Sequence, residues 1–565
     1  MDTTLTVAAV ALLLLPGWAL WIRMVGARPS QEVALSGLPF ALALAMVALH
    51  LCAYASLNLF VALWLLAGAA AAYSLYRQRP ALRFDRTLLV LAALAAAIRF
   101  APALVEEFPP GWDPYFHLLV SRLVEEQWAH VITLSPFEDI RIRYPTGTHL
   151  LLGLITGCTG ASRYSVFQTL LVLFGSLSCL QVYAWVHAAT DNRRWALYAL
   201  AAYGFLAVLG SLGYYSWGGL PNLLGMYLLA GCLTIVAQRD AGERRWWALA
   251  PMYLGVMLAS HHVLMVAFAA MLGLLLWQAR DPQRRAEARR LALGGCAAAA
   301  VGLPFLMHHF LTGPGIHATG LLWWYDEYPD TLYQVAASFG LAFFAAVLAG
   351  ATLHAVAPRR WPLRAELLLP AAIMLALFVL FEYGGKLFML AVYQRSLSPF
   401  TPSRFLTDAV YPLSAFAGLL FLAIERRIGR SILSVVALLF LTNYPYYRPD
   451  FDFVIDPNRL AAYRWVEANT RKDTLVFDFF VHAPVLTNRA ASETALPSSE
   501  LVGIAPKGRL MKRMLSGELP VEATGYPVVT FNYGAVPSNV PKGAILLQSG
   551  PVTVVDFNPR LTARR

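Results

Sequence analysis

Cysteine and charge are both scarce in this sequence. Five of the 565 residues are cysteine, each within an apolar segment and none in a metal-like cluster: Cys52, Cys158, Cys179, Cys232 and Cys296. This distribution argues against a disulfide framework and against a zinc site. No solenoid repeat or low-complexity segment is present. Charged residues make up only 14% of the chain, so a short stretch that concentrates them is a candidate for function.

Long apolar runs dominate the first 444 residues. Hydrophobic residues make up 58% of the chain. The first run, residues 5–21, follows only Asp2 and has neither a basic n-region nor a convincing cleavage site, so it reads as a retained helix. Because runs long enough to cross a bilayer core of about 30 Å recur, we predict a polytopic α-helical membrane protein with about 13–14 transmembrane helices.

Basic residues sit mainly in every second short loop between these runs. Examples are Arg193 with Arg194, and Arg426 with Arg427. The net charge of +11 could suggest a nucleic-acid partner, but this placement is the positive-inside pattern of membrane proteins. It predicts a multi-pass protein of the plasma membrane, with the N-terminus, the loop around Asp113 and the C-terminal part outside the cytoplasm. Membrane lipid is the expected partner, and nucleic acid is not.

The composition becomes that of a soluble protein after Asn443. A helical pattern over 457–470 is followed by a buried-strand pattern over 474–480, and further short strands come later. We predict a transmembrane domain over residues 1–444 and a small extracytoplasmic α/β domain over 445–565, which is within the usual size range of domains.

Carboxylates are concentrated in one predicted external loop, residues 105–150. Asp113 follows two prolines and a glycine, which end the preceding helix. From Pro114 to residue 127, apolar residues recur at helical spacing, which predicts an amphipathic helix at the membrane interface. His117 lies one helical turn after Asp113, so both side chains can approach one point. We predict that Asp113 and His117 belong to an active site; the alternative is that Asp113 only caps the helix.

Other predicted external loops add charged and aromatic residues. Asp326 and Glu327 are acidic residues of one loop, whereas Lys386, Arg395 and Arg404 are basic residues of another. Carboxylates bind hard cations such as Mg²⁺ or Mn²⁺, and Arg or Lys binds phosphate, so the combination suits a metal-plus-phosphate site. Candidate residues for an acceptor or lipid groove are Trp217, Asn222, His261, His262, Trp323 and Trp324.

Each of these sets has a plainer interpretation. Trp323 and Trp324, with the neighbouring acids, can form an interfacial aromatic belt. Arg395 and Arg404 can anchor the chain at the interface. His261 and His262 can be core or interfacial histidines without a ligand. The functional interpretation requires these residues to converge in space.

The segment GWDPYFHLLV, with RYPTGTHLLL further along the same loop, resembles the first external loop of the GT-C glycosyltransferases. Within that superfamily it most resembles the catalytic subunit of archaeal and bacterial oligosaccharyltransferases. The resemblance implies that Asp113 binds a divalent metal and takes part in acceptor activation. It implies a catalytic and metal-binding role for Glu327, with Asp326 as the shifted alternative. It also implies that Arg404, with Arg395 as second choice, contacts the lipid pyrophosphate.

Two departures separate this chain from the oligosaccharyltransferases. Their second external loop carries an acidic pair, whereas this sequence has WGGLPN, with Asn222 and no carboxylate. Their Trp-Trp-Asp-Tyr-Gly motif should follow the strand near residue 477, but FDFFVHAPVLTNRA stands there. The resemblance therefore favours the wider GT-C class over an Asn-glycosylating enzyme.

These features together predict an integral-membrane glycosyltransferase. It would transfer a sugar or oligosaccharide from a polyprenyl-phosphate or polyprenyl-pyrophosphate donor to a protein or glycan acceptor on the external face. The alternatives are a transporter or flippase of lipid-linked glycans, which usually shows internal repeats and broken helices, and an inactive GT-C-like scaffold.

Overall fold

The structure is a computed structural model in which the description covers most of the transmembrane part and segments of the C-terminal part. The described residues are 1–26, 30–78, 80, 84–105, 108–109, 113–135, 142, 144–210, 213–215, 218–238, 243–311, 332–361, 363–384, 387, 391–392, 402–443, 455, 457–478, 486–487, 490–491, 513, 527–533 and 545–556.

Within these residues the protein is mainly helical. In chain order the α-helices are α1 (Asp2–Val25), α2 (Gln31–Ala53), α3 (Leu57–Gln78), α4 (Arg86–Val105), α5 (Asp113–Gln127), α6 (Gly147–Thr159), α7 (Arg163–Thr190), α8 (Arg193–Ala201), α9 (Leu220–Ala237), α10 (Leu249–Ala259), α11 (His261–Arg280), α12 (Arg285–Leu311), α13 (Leu332–Phe339), α14 (Leu341–Val356), α15 (Ala365–Val379), α16 (Pro402–Ile428), α17 (Leu433–Leu438), α18 (Phe440–Asn443) and α19 (Pro457–Asn469). Single π-helical segments, Ala202–Leu206 and Leu380–Gly384, extend α8 and α15.

Several helix starts carry the capping residues that the sequence offers. The Asn192 side chain accepts a hydrogen bond from the Trp195 N–H (3.0 Å) at the start of α8, and Ser260 accepts one from Val263 (3.3 Å) at the start of α11. These side chains bind backbone N–H groups that have no partner inside the helix. The helix boundaries near the site are therefore fixed by local sequence.

Nine helices in the described part of the chain are long and apolar enough to cross a membrane: α1, α2, α3, α4, α7, α9, α11, α15 and α16. Two further apolar helices, α6 and α14, are shorter. Their number, length and composition make this a multi-pass α-helical membrane protein, as the sequence predicts. The central helices α7, α9 and α16 are almost wholly buried by their neighbours, whereas α3 is mostly exposed.

The helix ends next to the basic loops lie together at one end of the bundle. Arg193 at the start of α8 pairs with Asp85, which precedes α4. His187 near the end of α7 lies 3.4 Å from Glu32 at the start of α2. Helices that begin at this end therefore alternate with helices that finish there, and the loops that contain the predicted site residues come to the opposite end.

Helices α5 and α6 form a parallel pair that is too short to cross the membrane. A Cβ atom at Gly153 of α6 would stand 2.6 Å from Val124 of α5, and one at Gly157 would overlap the ring of Trp128. Two helical turns of glycine spacing thus allow close backbone approach along the whole pair. The predicted amphipathic helix over 114–127 corresponds to α5, with Asp113 as its first residue.

The C-terminal part contains a mixed five-stranded sheet. Its strands are β1 (Leu475–Phe477), β2 (Ala490–Ala491), β3 (Val528–Tyr533), β4 (Ile545–Ser549) and β5 (Val552–Asp556), in the order β2-β1-β3-β5-β4. The β1 strand is parallel to both of its neighbours, and the β3-β5-β4 part is antiparallel. Helix α19 covers it, with the Tyr463 ring 5.0 Å from Phe531. The predicted fold class is confirmed, and the boundary at residue 444 stays a prediction.

Helix α5 contacts the C-terminal part directly. The Arg122 side chain lies 2.9 Å from Glu126 and 3.3 Å from Glu467 of α19, and Arg163 of α7 lies 3.0 Å from Glu125. These pairs are partly exposed, so each adds at most about 1 kcal/mol to stability. Their effect is to set the position of α5 between the bundle and the C-terminal sheet.

Candidate functional site

Tyr144 lies where the first turns of three helices meet. Its ring centroid is 5.4 Å from that of His117 on α5, 5.7 Å from His149 on α6 and 5.2 Å from His261 on α11. Phe116 completes this group, which we call the Tyr144 cluster, at 5.8 Å. Because each of these helices begins here, their unpaired N–H groups and positive dipole ends face the same region. An anionic ligand would be stabilised at this end of the bundle.

Two buried histidines are hydrogen-bonded to each other in the cluster. The Nδ1 atom of His117 lies 3.0 Å from Nε2 of His149, and both residues are buried. One ring must donate and the other accept, so at least one is neutral. Burial, followed by the nearby His149 and the positive charge of Arg404, holds the pKa of His117 well below its usual value. His117 is therefore an uncharged hydrogen-bonding group near neutral pH.

The low pKa of His117 predicts a loss of stability in acid. Below pH about 6.5 the unfolded chain binds a proton at this imidazole that the folded protein does not, so the free energy of unfolding falls with decreasing pH, by up to about 1.4 kcal/mol per pH unit for one group. We expect the decrease in melting temperature of the detergent-solubilised protein between pH 7 and pH 5 to be smaller for His117→Asn. His354→Asn, at the opposite end of the bundle, is the control. Equal pH slopes in wild type and His117→Asn would contradict this reasoning.

Arg404 lies in the first turn of α16, at the same end of the bundle. Its guanidinium is half-buried and close enough to His117 to affect its titration. The next residue, Phe405, packs against His262, with ring centroids 4.6 Å apart. The structure thus brings Arg404, His117, His261 and His262 together, as the functional interpretation of the sequence requires.

Asp408 connects three elements beneath this region. It is 1% exposed, one helical turn after Arg404 on α16. Its Oδ2 lies 2.9 Å from Nε2 of His262 at the start of α11, and its Oδ1 accepts a hydrogen bond from the Tyr214 hydroxyl. A buried carboxylate requires such partners, because an unpaired one would be costly to desolvate.

Asn222 has a positioning contact. It is 2% exposed, and its Oδ1 accepts a hydrogen bond from the Ser260 hydroxyl. Ser260 is also the N-cap of α11, which begins with His261 and His262. Asn222 therefore fixes the start of α11, and its carbonyl oxygen already has a donor.

Several predicted site residues lie outside the described part of the chain. These are Trp217, Trp323, Trp324, Asp326, Glu327, Lys386 and Arg395. Asp113 is described as the first residue of α5, but its side chain is not. Its position is constrained by Pro114, because the close approach of Gly218 leaves no room there for a Cβ atom. Gly218 also has φ +78°, which favours glycine.

A metal site is not formed by the described residues alone. Among them there is no group of three or more His, Cys, Asp and Glu side chains that could hold a metal ion. The predicted Mg²⁺ or Mn²⁺ site therefore stays a prediction about Asp113, Asp326 and Glu327, and no step of the chemistry below depends on it.

No protein-family model and no curated protein matches this sequence. The structure is similar to that of ArnT from Cupriavidus metallidurans bound to undecaprenyl phosphate, with a TM-score of 0.57, 12% identity and coverage of 84% of this chain and 99% of ArnT. Apo ArnT from the same organism gives a TM-score of 0.54 at 13% identity, with the same coverage. The apo oligosaccharyltransferase of Archaeoglobus fulgidus gives 0.48 at 12% identity, covering 79% of this chain and 69% of that one.

The chain has the GT-C fold. The fold that the sequence resemblance implies is therefore confirmed. Since proteins of one fold can differ in activity, the reaction of this GT-C-fold protein has to be argued from the residues of its site.

Sequence reasoning missed part of the site of this GT-C-fold protein. His149 and Tyr144 belong to the RYPTGTH segment but carried no assigned role, and Asp408 and Tyr214 were not considered. For Asp408 a signal was present, because a carboxylate inside an apolar helix is a functional candidate by default. Tyr214 had no such signal, since its partner lies 194 residues further along the chain.

Proposed function

We propose that this protein is an integral-membrane glycosyltransferase. It takes a sugar or oligosaccharide from a polyprenyl-phosphate or polyprenyl-pyrophosphate donor and attaches it to a protein or glycan acceptor on the external face of the plasma membrane. The observation that carries this proposal is the position of Arg404: a half-buried guanidinium among converging helix N-termini, in a fold shared with a protein solved with undecaprenyl phosphate.

The donor phosphate binds at Arg404. A guanidinium presents a rigid set of N–H donors that matches phosphate oxygens, and the N-terminal dipoles of α5, α6 and α11 add positive potential. Lys386 and Arg395 are further donors on the same segment of chain. The neutral His117–His149 pair adds hydrogen-bonding groups without negative charge.

Transfer proceeds by attack of the acceptor atom on the anomeric carbon of the sugar. The bond between this carbon and the phosphate oxygen breaks, and the phosphate leaves with additional negative charge, which Arg404 and the helix N-termini stabilise. The acceptor proton passes to the Asp113 carboxylate as general base, assisted by Glu327 or Asp326. Trp217, Trp323 and Trp324, with the Tyr144 cluster, shape the groove for the lipid and acceptor.

The orientation in the membrane follows from the basic loops. Arg193 and its neighbours mark the cytoplasmic end by the positive-inside rule, so the Tyr144 cluster, the N-terminus and the C-terminal domain are extracytoplasmic. The contact between Arg122 and Glu467 then places the C-terminal domain beside α5, where it can present the acceptor. Since the oligosaccharyltransferase motif for reading a protein acceptor is missing, a glycan acceptor is as compatible with the chain as a protein.

A donor-turnover assay tests the proposal. Purified protein in detergent is incubated with a lipid extract of the source cells, and release or transfer of glycan from the lipid is followed by mass spectrometry. We expect turnover that added undecaprenyl phosphate inhibits, because it competes for Arg404, and that undecaprenol, which lacks the phosphate, does not inhibit. Lipid binding without any turnover would contradict the proposal and favour a flippase or an inactive scaffold.

A further inference from the structure

Asp408 has a contact pattern that phosphate binding does not require. Both of its carboxylate oxygens are used, Oδ1 by the Tyr214 hydroxyl and Oδ2 by Nε2 of His262 at 2.9 Å. An ionised carboxylate only accepts hydrogen bonds, so both partners donate and Nε2 of His262 carries its hydrogen. A buried carboxylate thus ties α16 to the start of α11 and to the 213–215 turn.

Each of the three connected elements holds a residue of the proposed site. Arg404 lies one turn before Asp408 on α16, and His261 of the Tyr144 cluster precedes His262. Tyr214 leads through a tight turn, in which Gly219 N–H donates to the Tyr214 carbonyl at 2.9 Å, to Gly218. Gly218 in turn stands against Pro114, the second residue of α5. A continuous set of contacts therefore runs from Arg404 through Asp408 and Tyr214 to the first turn of α5.

We propose that Asp408 is a positioning residue, which holds Arg404 and the first turn of α5 in one arrangement, so that a phosphate bound at Arg404 stands at a set distance from Asp113. This inference rests on the proposed function for the meaning of that distance. Asp408 touches neither donor nor acceptor, and it acts through Tyr214 and His262. Small displacements of reacting groups cost large factors in rate because attack needs near-contact geometry.

The far end of the same helix offers a matched control. Glu425 is a buried carboxylate that accepts a hydrogen bond from the Tyr198 hydroxyl and pairs with Arg194. Tyr198 also accepts from the Ile432 N–H at 3.0 Å. This group resembles the Asp408 group chemically, but it lies at the end of the bundle with the basic loops, so it serves stability alone.

The test compares Asp408→Asn, Tyr214→Phe and Glu425→Gln. Asparagine keeps the volume of Asp408 but accepts with one oxygen instead of two, so one of the two connections is lost. Spin labels at Glu126→Cys on α5 and Leu348→Cys on α14 report the distance between α5 and the α16 region, because α14 packs on α16 at Gly350 and Phe416. Both labelled positions are exposed, and the accessible Cys52, Cys158 and Cys296 are first replaced by alanine.

We expect Asp408→Asn and Tyr214→Phe to broaden or shift the distance distribution and to lower the maximal rate of glycan turnover more than tenfold. The half-saturating concentration of lipid extract should change less than threefold, because Arg404 is retained. Glu425→Gln should lower the melting temperature and leave both the distance and the turnover as in wild type.

Two outcomes would overturn the inference: an unchanged distance distribution in folded Asp408→Asn, or a shifted one with wild-type turnover. A distance that shifts as expected, in a protein whose wild type shows no turnover, would support the positioning by Asp408 and contradict the proposed function. The spectroscopic and kinetic readouts thus separate the two.

Discussion

Replacing Arg404 by glutamine is expected to reduce glycan turnover by about 100- to 1000-fold, which is the usual effect of removing one donor to charge that develops in a transition state. Glutamine preserves length and hydrogen-bonding capacity but removes the positive charge beside the departing phosphate. The loss should appear in both the maximal rate and the half-saturating donor concentration, because the phosphate is charged before and after transfer. Mass-spectrometric detection of released or transferred glycan measures it.

Two controls make the Arg404 result interpretable. Arg427→Gln removes an exposed arginine from the other end of α16 and should leave turnover unchanged. Arg404→Lys keeps the charge but not the planar set of donors, so we expect an intermediate loss. If Arg404→Gln turned over donor at the wild-type rate, Arg404 would be an interface anchor and the phosphate site would lie elsewhere.

The fold could be predicted because its determinants are periodic and local. Apolar runs longer than a bilayer core indicate membrane helices, and arginines in alternate loops indicate their direction, without any knowledge of tertiary contacts. The short helix α6 follows from the short apolar run after residue 147, and α5 from its helical apolar spacing. These features depend on neighbours within one or two turns.

The site could be predicted only where a residue announces itself by being charged in an apolar region. Arg404 is such a residue. The Asp408 group is not predictable from local pattern, because His262 and Tyr214 reach it across 146 and 194 residues. His262 was considered for an acceptor or lipid groove, but its ring is 8% exposed and bound to Asp408. Its structural role follows from helix packing, which no one-dimensional pattern contains.

Replacing Asp113 by asparagine is expected to reduce glycan turnover by about 100- to 10,000-fold, the range lost with a general base. Asparagine fits the volume of the first residue of α5 and can still cap that helix, but it cannot take the acceptor proton. Retained folding with lost turnover therefore separates a catalytic Asp113 from a helix cap. Glu126→Gln, on the exposed side of the same helix, should leave turnover unchanged.

A metal arm of the same experiment tests the second predicted role of Asp113. If Asp113 holds Mg²⁺ or Mn²⁺ together with Glu327 or Asp326, EDTA should abolish wild-type turnover and added Mn²⁺ should restore it. Asp113→Asn should then respond to neither addition, because the variant lacks the ligand that makes the metal useful. Full activity of wild type in EDTA, with Asp113→Asn still inactive, would make Asp113 a base that works without a metal. Wild-type turnover in Asp113→Asn would leave helix capping as its role and move the acceptor-activating group to another residue of the site.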